Sequence, residues 1–184
     1  MKLPSTDANG VTAAENTGTP VCMAVTHMDG IVLALTPFHH SCNYRSAVVH
    51  GYAHIVTDPG ERLYAMAVIT NNVLANRWAN SRTPPTNAEL TSTGILRVEI
   101  ASASAKVRVG GPGDDRHDLK DENVIGNVWT GVVPAYLQYG EPVPSDYNKV
   151  SKVPWYLGDW IQEQNKRNIE GAISAADDPK KKKS

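Results

Sequence analysis

The chain has 184 residues, 41% of them hydrophobic and 20% charged, with a formal net charge of −1. That length suits one domain burying roughly 70% of its unfolded surface, and the near-neutral balance leaves no electrostatic footprint for nucleic acid. No run reaches the ~20 apolar residues of a membrane span, two cysteines cannot build a disulfide framework, and the first twenty residues lack the apolar stretch of a secretory signal; a soluble, cytoplasmic protein is expected.

Residues 1–19 are rich in Thr, Ser, Asn, Gly and Pro and read as a flexible segment outside the core. "PVCMAVTH" and "IVLALT" flank Asp29-Gly30, the signal of a β-hairpin, and their apolar content suggests strands covered on both faces. A third strand is expected over 46–56, with Gly51 marking a bulge or a close backbone approach. Asp58, Pro59 and Glu61 form a helix start, and Leu63, Met66, Thr70, Val73 and Leu74 give that helix an apolar stripe through about residue 75. "NSRTPPTN" reads as a loop. Alternation then predicts strands at 93–102 and 105–109, the second with Lys106 and Arg108 on one face. "GGPGDDRHD" ends them, Asp118 starts a helix running to Val128, "WTGVVP" is a last strand, and an amphipathic helix begins near Pro154. Five or six strands with about three helices predict an α+β, barrel-like domain over 20–172, followed by a disordered lysine-rich tail at 173–184.

"FHHSCNYRS" (38–46) concentrates the reactive side chains. His39, His40 and Cys42, with His50 and His54 nearby, match no zinc-ligand spacing, so no metal is expected. Cys42 beside a histidine lacks the context of a cysteine nucleophile. Tyr44, Arg45 and Ser46 remain open to two readings: a ligand pocket, with a guanidinium fork, a hydroxyl and a stacking ring, or a surface ion pair with ordinary packing. "GGPGDD" is neither a dinucleotide fingerprint nor a Walker loop.

"NYRSAVVHGYAHIVTDPGERLYAM" (43–66), "AKVRVGGPGDD" (105–115) and "VWTGVVP" (128–134), in that order, resemble the pyridoxamine 5′-phosphate oxidase-like, FMN-binding split-barrel superfamily. Within it the chain looks like the flavin-nucleotide-binding branch related to nitroimidazole-resistance proteins, and like its fungal members in the "GEPVPSDYN" continuation and the last helix. The resemblance covers residues 20 to about 165. It implies an antiparallel six-stranded split β-barrel with flanking helices, working as a homodimer with FMN in the subunit interface. It also implies that Tyr44, Arg45, Ser46 and Val48 line the flavin site, that Lys106 and Arg108 face it, and that Trp129 approaches the cofactor from the second subunit.

Similar proteins carry a further pair of N-terminal strands ending in an "H-G-x-x-S-S-R"-like segment that helps hold the FMN phosphate, whereas this sequence begins "MKLPST". The resemblance therefore implies a barrel incomplete at its N-terminus, Met1 standing at an internal position of a longer ancestor, and Lys2 as the retained phosphate candidate. The implied function is flavin-dependent oxidoreduction of a small molecule, either a nitro compound or a specialised (secondary) metabolite, with His40 and His50 as the candidate acid/base groups. The alternatives are a cofactor-free relative acting as a binding or dimerisation module, and a catalyst using haem or deazaflavin.

Overall fold

The structure is a computed structural model that describes residues 18–177. These residues form one antiparallel sheet of four strands: β1 (Thr19–Leu33), β2 (Ser41–Ile55), β3 (Leu96–Arg108) and β4 (Gly131–Pro134). The strand order is β3-β2-β1-β4, and helices flank the sheet, so the fold is α+β. The expected six-stranded barrel is corrected here: among the described residues the sheet has four strands and does not close.

The Asp29-Gly30 pair does not make a hairpin. It lies inside the continuous strand β1, where the register against β2 jumps from Met28↔Tyr44 to Gly30↔Asn43 and leaves Asp29 as the inserted residue. An Asp-Gly pair suits a bulge as well as a turn. Here β2 runs alongside on both sides of it, and Arg45 across the ladder takes the Asp29 carboxylate. The true turn is residues 34–40, with a 3₁₀ segment at Pro37–His39. It is closed by Ala34 N–H donating to His40 Nδ1 at 3.0 Å and by Leu35 N–H donating to Asp114 Oδ1 at 2.8 Å.

Gly51 is a close approach beside a bulge. Pairing with β3 moves from His50↔Ser102 to Gly51↔Ile100, leaving Ala101 unpaired. A Cβ on Gly51 would stand 2.3 Å from the Glu99 carbonyl oxygen. The two strands expected at 93–102 and 105–109 are one, because alternation continues through "SAS" without a breaker.

Helix α1 (Pro59–Val73) starts as expected, with Glu61 N–H donating to Asp58 Oδ1 at 2.7 Å. Its expected apolar stripe is not buried: Leu63 and Val73 are exposed, and no residue of the helix is buried among the described residues. Helix α2 (Asn87–Ser92) begins at the last residue of the stretch that reads as loop and runs through 88–92, where no element is expected. Its signal is the capping box Thr86-x-x-Glu89, with Glu89 N–H donating to Thr86 Oγ1 and Thr86 N–H donating to the Glu89 carboxylate. Arg82 also hydrogen-bonds Glu89. The hydrogen bonds from Arg82 and Thr86 hold the Glu89 carboxyl at about 2, well below its usual range. Because the folded value is depressed, this contribution is present above about pH 4.5 and is lost as pH falls toward 2. Arg82→Ala should raise the Glu89 midpoint toward 4.5 in a carboxyl-carbon NMR titration; an unmoved midpoint would mean the capping box alone sets it.

The single helix expected over 118–128 is two pieces, a 3₁₀ turn at Asp118–Lys120 and α3 (Glu122–Asn127). Asp121 separates them, extended and capping α3 through its side chain. The last helix, α4 (Trp155–Ala176), begins after Pro154 as expected and continues past residue 172 into the stretch expected to be a tail. The four lysines that follow lie outside the described residues.

Helix α4 packs on β1 and β4. Its buried Ala172 and Ala175 lie in the same core as Val32, Ala34 and the wholly buried Asn43. Asn43 Nδ2 donates to the Gly110 and Ala175 carbonyls at 3.0 Å each, and its Oδ1 accepts from Arg108 Nη1 at 2.6 Å. One side chain thus joins β2, the end of β3 and the end of α4. The stretch after β4 is tied to α4 by Asn165, which pairs with both backbone groups of Tyr139, and by Asn168, which donates to the Leu137 carbonyl.

Candidate functional site

Opposed residues in antiparallel strands share a face, so the register sorts the sheet into two surfaces. One carries Tyr44, Ser46, Val48 and His50 of β2, with Arg108, Lys106, Ser104 and Ser102 facing them from β3 and Met28, Thr26, Ala24 and Cys22 from β1. The other carries Arg45, Ala47 and Val49, with Val107, Ala105 and Ala103 on one side and His27, Val25 and Met23 on the other. The first is polar, with hydroxyls and cations; the second is nearly all apolar.

This sorting separates the predicted site residues. Tyr44, Ser46, Val48 and Lys106 come together, with Lys106 directly opposite Ser46. Among the described residues the Tyr44 and Ser46 hydroxyls and the Lys106 ammonium engage no hydrogen-bond or ion-pair partner. Arg108 stands on the same face, but its guanidinium is engaged with Asn43 Oδ1 and, at 3.4 Å, the Gly111 carbonyl.

Arg45 is on the opposite face, because successive strand residues alternate. Its Nε and Nη2 donate to Asp29 Oδ2 and Oδ1 at 2.9 and 2.8 Å, a bidentate pair. The Asp29 side chain is 6% exposed and that of Arg45 59%. The Asp29 hydrogen bond raises the Arg45 pKa above its ordinary value. Of the two readings open for Arg45, an ion pair with Asp29 is what the structure contains. The cavity beside it, about 150 Å³ and lined by His27, Tyr136 and Tyr139 among others, is below the ~300 Å³ that a ligand pocket needs.

Trp129 stands apart from this group within one chain. Gly131, two residues on, pairs with Leu33, whereas Ser46 pairs with Thr26; at ~3.3 Å per residue that is about 20 Å along β1. The Trp129 ring folds over Gly131, where a Cβ would lie 2.8 Å from the indole. Gly131 also has φ +154°, and it is this backbone conformation that favours glycine there, since the exposed Trp129 ring could move aside for a Cβ.

His40 is engaged as the acceptor that closes the β1–β2 turn. His50 is exposed, with no hydrogen-bond partner among the described residues. Cys22 and Cys42 are exposed free thiols, and no three His, Cys, Asp or Glu side chains among the described residues group as metal ligands would. No described helix is long and apolar enough to cross a membrane. Lys2 lies outside the described residues. Sequence reasoning missed Asp29 and Asn43 as organising residues, since a single Asp in a turn signal and a single Asn before a strand carry no pattern. A larger open groove of about 760 Å³, lined by Arg77, Lys152 and Trp155 among others, lies away from all predicted site residues.

A search of curated proteins finds no match to the chain. Among solved structures, the flavocytochrome Anf3 from Azotobacter vinelandii is similar at a TM-score of 0.68 and 26% identity, over 82% of this chain and 70% of that one. The FAD and heme binding protein from Mycobacterium smegmatis is similar at a TM-score of 0.66 and 29% identity, over 77% of this chain and 67% of that one. The family model described as pyridoxamine 5′-phosphate oxidase matches residues 3–107, a stretch that contains β1, β2, α1 and nearly all of β3, and on that match the chain belongs to the pyridoxamine 5′-phosphate oxidase family.

Proposed function

We propose that the polar sheet face binds a flavin, FMN in the first instance, and that the chain serves a flavin-dependent oxidoreduction of a small molecule. The observation that carries this reading is the unengaged set of Tyr44, Ser46 and Lys106 beside the aliphatic Val48 on one strand face. These residues fit the group: a flat aliphatic and aromatic floor suits the ring, and a hydroxyl opposite an ammonium suits its ring oxygens or its phosphate. Family membership and two similar structures, one a flavocytochrome and one an FAD and heme binding protein, support it. Bound flavin would supply reversible two-electron transfer; the protein's part is to bind and orient it and to shield it from water.

The motifs "YRS", "RVGGPGDD" and "WTGVVP" further suggest the nitroimidazole-resistance-like branch, and the "GEPVPSDYN" continuation with the last helix suggests its fungal type. A flavin-bound homodimer follows from the same reading, because Trp129 reaches the floor only from a second subunit. A cytoplasmic setting for such an enzyme is part of the proposal. One observation favours the cofactor-free alternative: among the described residues, Lys106 is the only cation on this face that is unengaged. Flavin fluorescence separates the two. Purified chain added to FMN, and separately to FAD, should quench emission saturably at micromolar protein; an unchanged spectrum with both would leave the cofactor-free reading standing.

A further inference from the structure

We propose that the open groove at the start of α4 is a binding site for a small aromatic carboxylate, its anion held by Arg77, Tyr156 and Lys152. The groove shares no residue with the polar sheet face, so the proposal stands whether or not flavin binds there.

The cations are the first observation. The groove measures about 760 Å³ and draws its described lining from residues 77–80 and 142–157, with two cations and no Asp or Glu among them. That volume falls within the ~300–1,000 Å³ of small-molecule sites. Arg77 sits in a turn after α1, where its N–H donates to the Leu74 carbonyl at 3.1 Å and its carbonyl accepts from the Ser81 hydroxyl at 2.8 Å. Its Nη1 donates to the Tyr156 hydroxyl at 2.9 Å, leaving Nε and Nη2 without a partner among the described residues. That free edge is the one a planar carboxylate takes with two parallel hydrogen bonds. Lys152 also has no partner among the described residues.

Tyr156 is the second observation. It lines the groove although only 6% exposed. A phenol both accepts and donates. Here the oxygen accepts from Arg77, and its own hydrogen finds no acceptor among the described residues. Such a buried donor is unfavourable until an acceptor reaches it. The Trp155 and Tyr156 N–H groups, the first of α4, are unpaired among the described residues too, because Pro154 brings no side-chain cap. They add the positive end of a 22-residue helix to the two cations.

The wall decides what the anion is attached to. Val143, Val150, Val153 and Trp155 are all exposed along this groove. A flat apolar body would cover them and stack on the indole, which a bare inorganic anion cannot do. A ligand with a carboxylate at one end and a ring at the other satisfies both the donors and the wall.

The test is calorimetric titration of the chain with cinnamate, with cinnamamide and inorganic phosphate as comparison probes. The expected result is one cinnamate per chain at sub-millimolar affinity, roughly ten-fold or more tighter than either comparison. Lys152→Ala, at an exposed position, and Arg77→Lys, which keeps the charge but loses the fork, should each weaken cinnamate about ten-fold with far-UV circular dichroism retained. No cinnamate binding at millimolar concentration overturns the proposal, and so does equal affinity for cinnamamide or for phosphate. Unchanged cinnamate affinity in either variant, with an intact spectrum, also overturns it.

Discussion

Gly51→Ala is expected to cost about 3 kcal/mol, the upper end for overpacking, because the new methyl would have to occupy the position of a backbone oxygen. The Cβ would lie 2.3 Å from the Glu99 carbonyl oxygen and 2.9 Å from Val98 Cγ1. A side chain could swing aside, but Glu99 belongs to β3 and is paired in the ladder, so relief means shifting the whole β2–β3 pairing. For a chain of this size that corresponds to a fall in Tm of about 6–12 °C. Gly94→Ala is the control, since nothing lies within 4 Å of its Cβ position, and should change stability by less than about 0.5 kcal/mol. Equal Tm values for the two variants would show that β3 does not approach Gly51 as described.

The second large effect concerns Asn43. Asn43→Ala removes both donations and the acceptor of a fully buried amide. The Ala175 carbonyl keeps a bond from Gly110 N–H at 2.8 Å, so the groups left short are the Gly110 carbonyl and the Arg108 guanidinium. One buried acceptor without a partner and a weakened charged donor amount to about 2–3 kcal/mol. Urea denaturation should show this as a lower midpoint with an unchanged slope. Because Arg108 acts through Asn43, the double variant with Arg108→Ala should fall short of the sum of the single effects by at least about 0.5 kcal/mol. Strict additivity would mean that Arg108 is free to do something else, such as hold a ligand.

These two residues also show what the sequence could and could not reveal. A glycine inside an otherwise β-branched run announces a bulge or a close contact, and Gly51 has both beside it. The α1 cap was equally legible, because Asp58, Pro59 and Glu61 act within one turn of chain. Contacts between distant residues were not. Nothing local in "DG" distinguishes a hairpin from a bulge, and the choice was made by Arg45, sixteen positions away. The same pair decided the candidate site. "YRS" reads as three adjacent pocket residues, yet a strand must send Arg45 to the face opposite Tyr44 and Ser46, where buried Asp29 awaits it. Alternation alone would have separated them. The missed helix α2 hid behind "PPTN", although Thr86 and Glu89 spell its capping box. The stripe on α1 was real in sequence, yet Leu63 and Val73 are exposed and Met66 and Thr70 only half-buried, so its periodicity did not translate into a buried face among the described residues.

Arg45 and Lys106 therefore give opposite expectations, and together they test the central claim. Arg45→Ala leaves a buried carboxylate without its bidentate partner and should lower stability by about 1–2 kcal/mol, discounted because the guanidinium is largely solvated. It should leave flavin affinity unchanged. Lys106→Ala removes the one unengaged ammonium on the polar face among the described residues, a charge-assisted contact of about 1.5–3 kcal/mol, and should leave stability nearly unchanged. The decisive measurement is the FMN dissociation constant of the Lys106→Ala chain relative to wild type, with Arg45→Ala titrated alongside. The account predicts roughly ten- to hundred-fold weaker binding for Lys106→Ala and none of that loss for Arg45→Ala. Weakened binding in Arg45→Ala with Lys106→Ala unaffected would place the flavin on the other face of the sheet and contradict it.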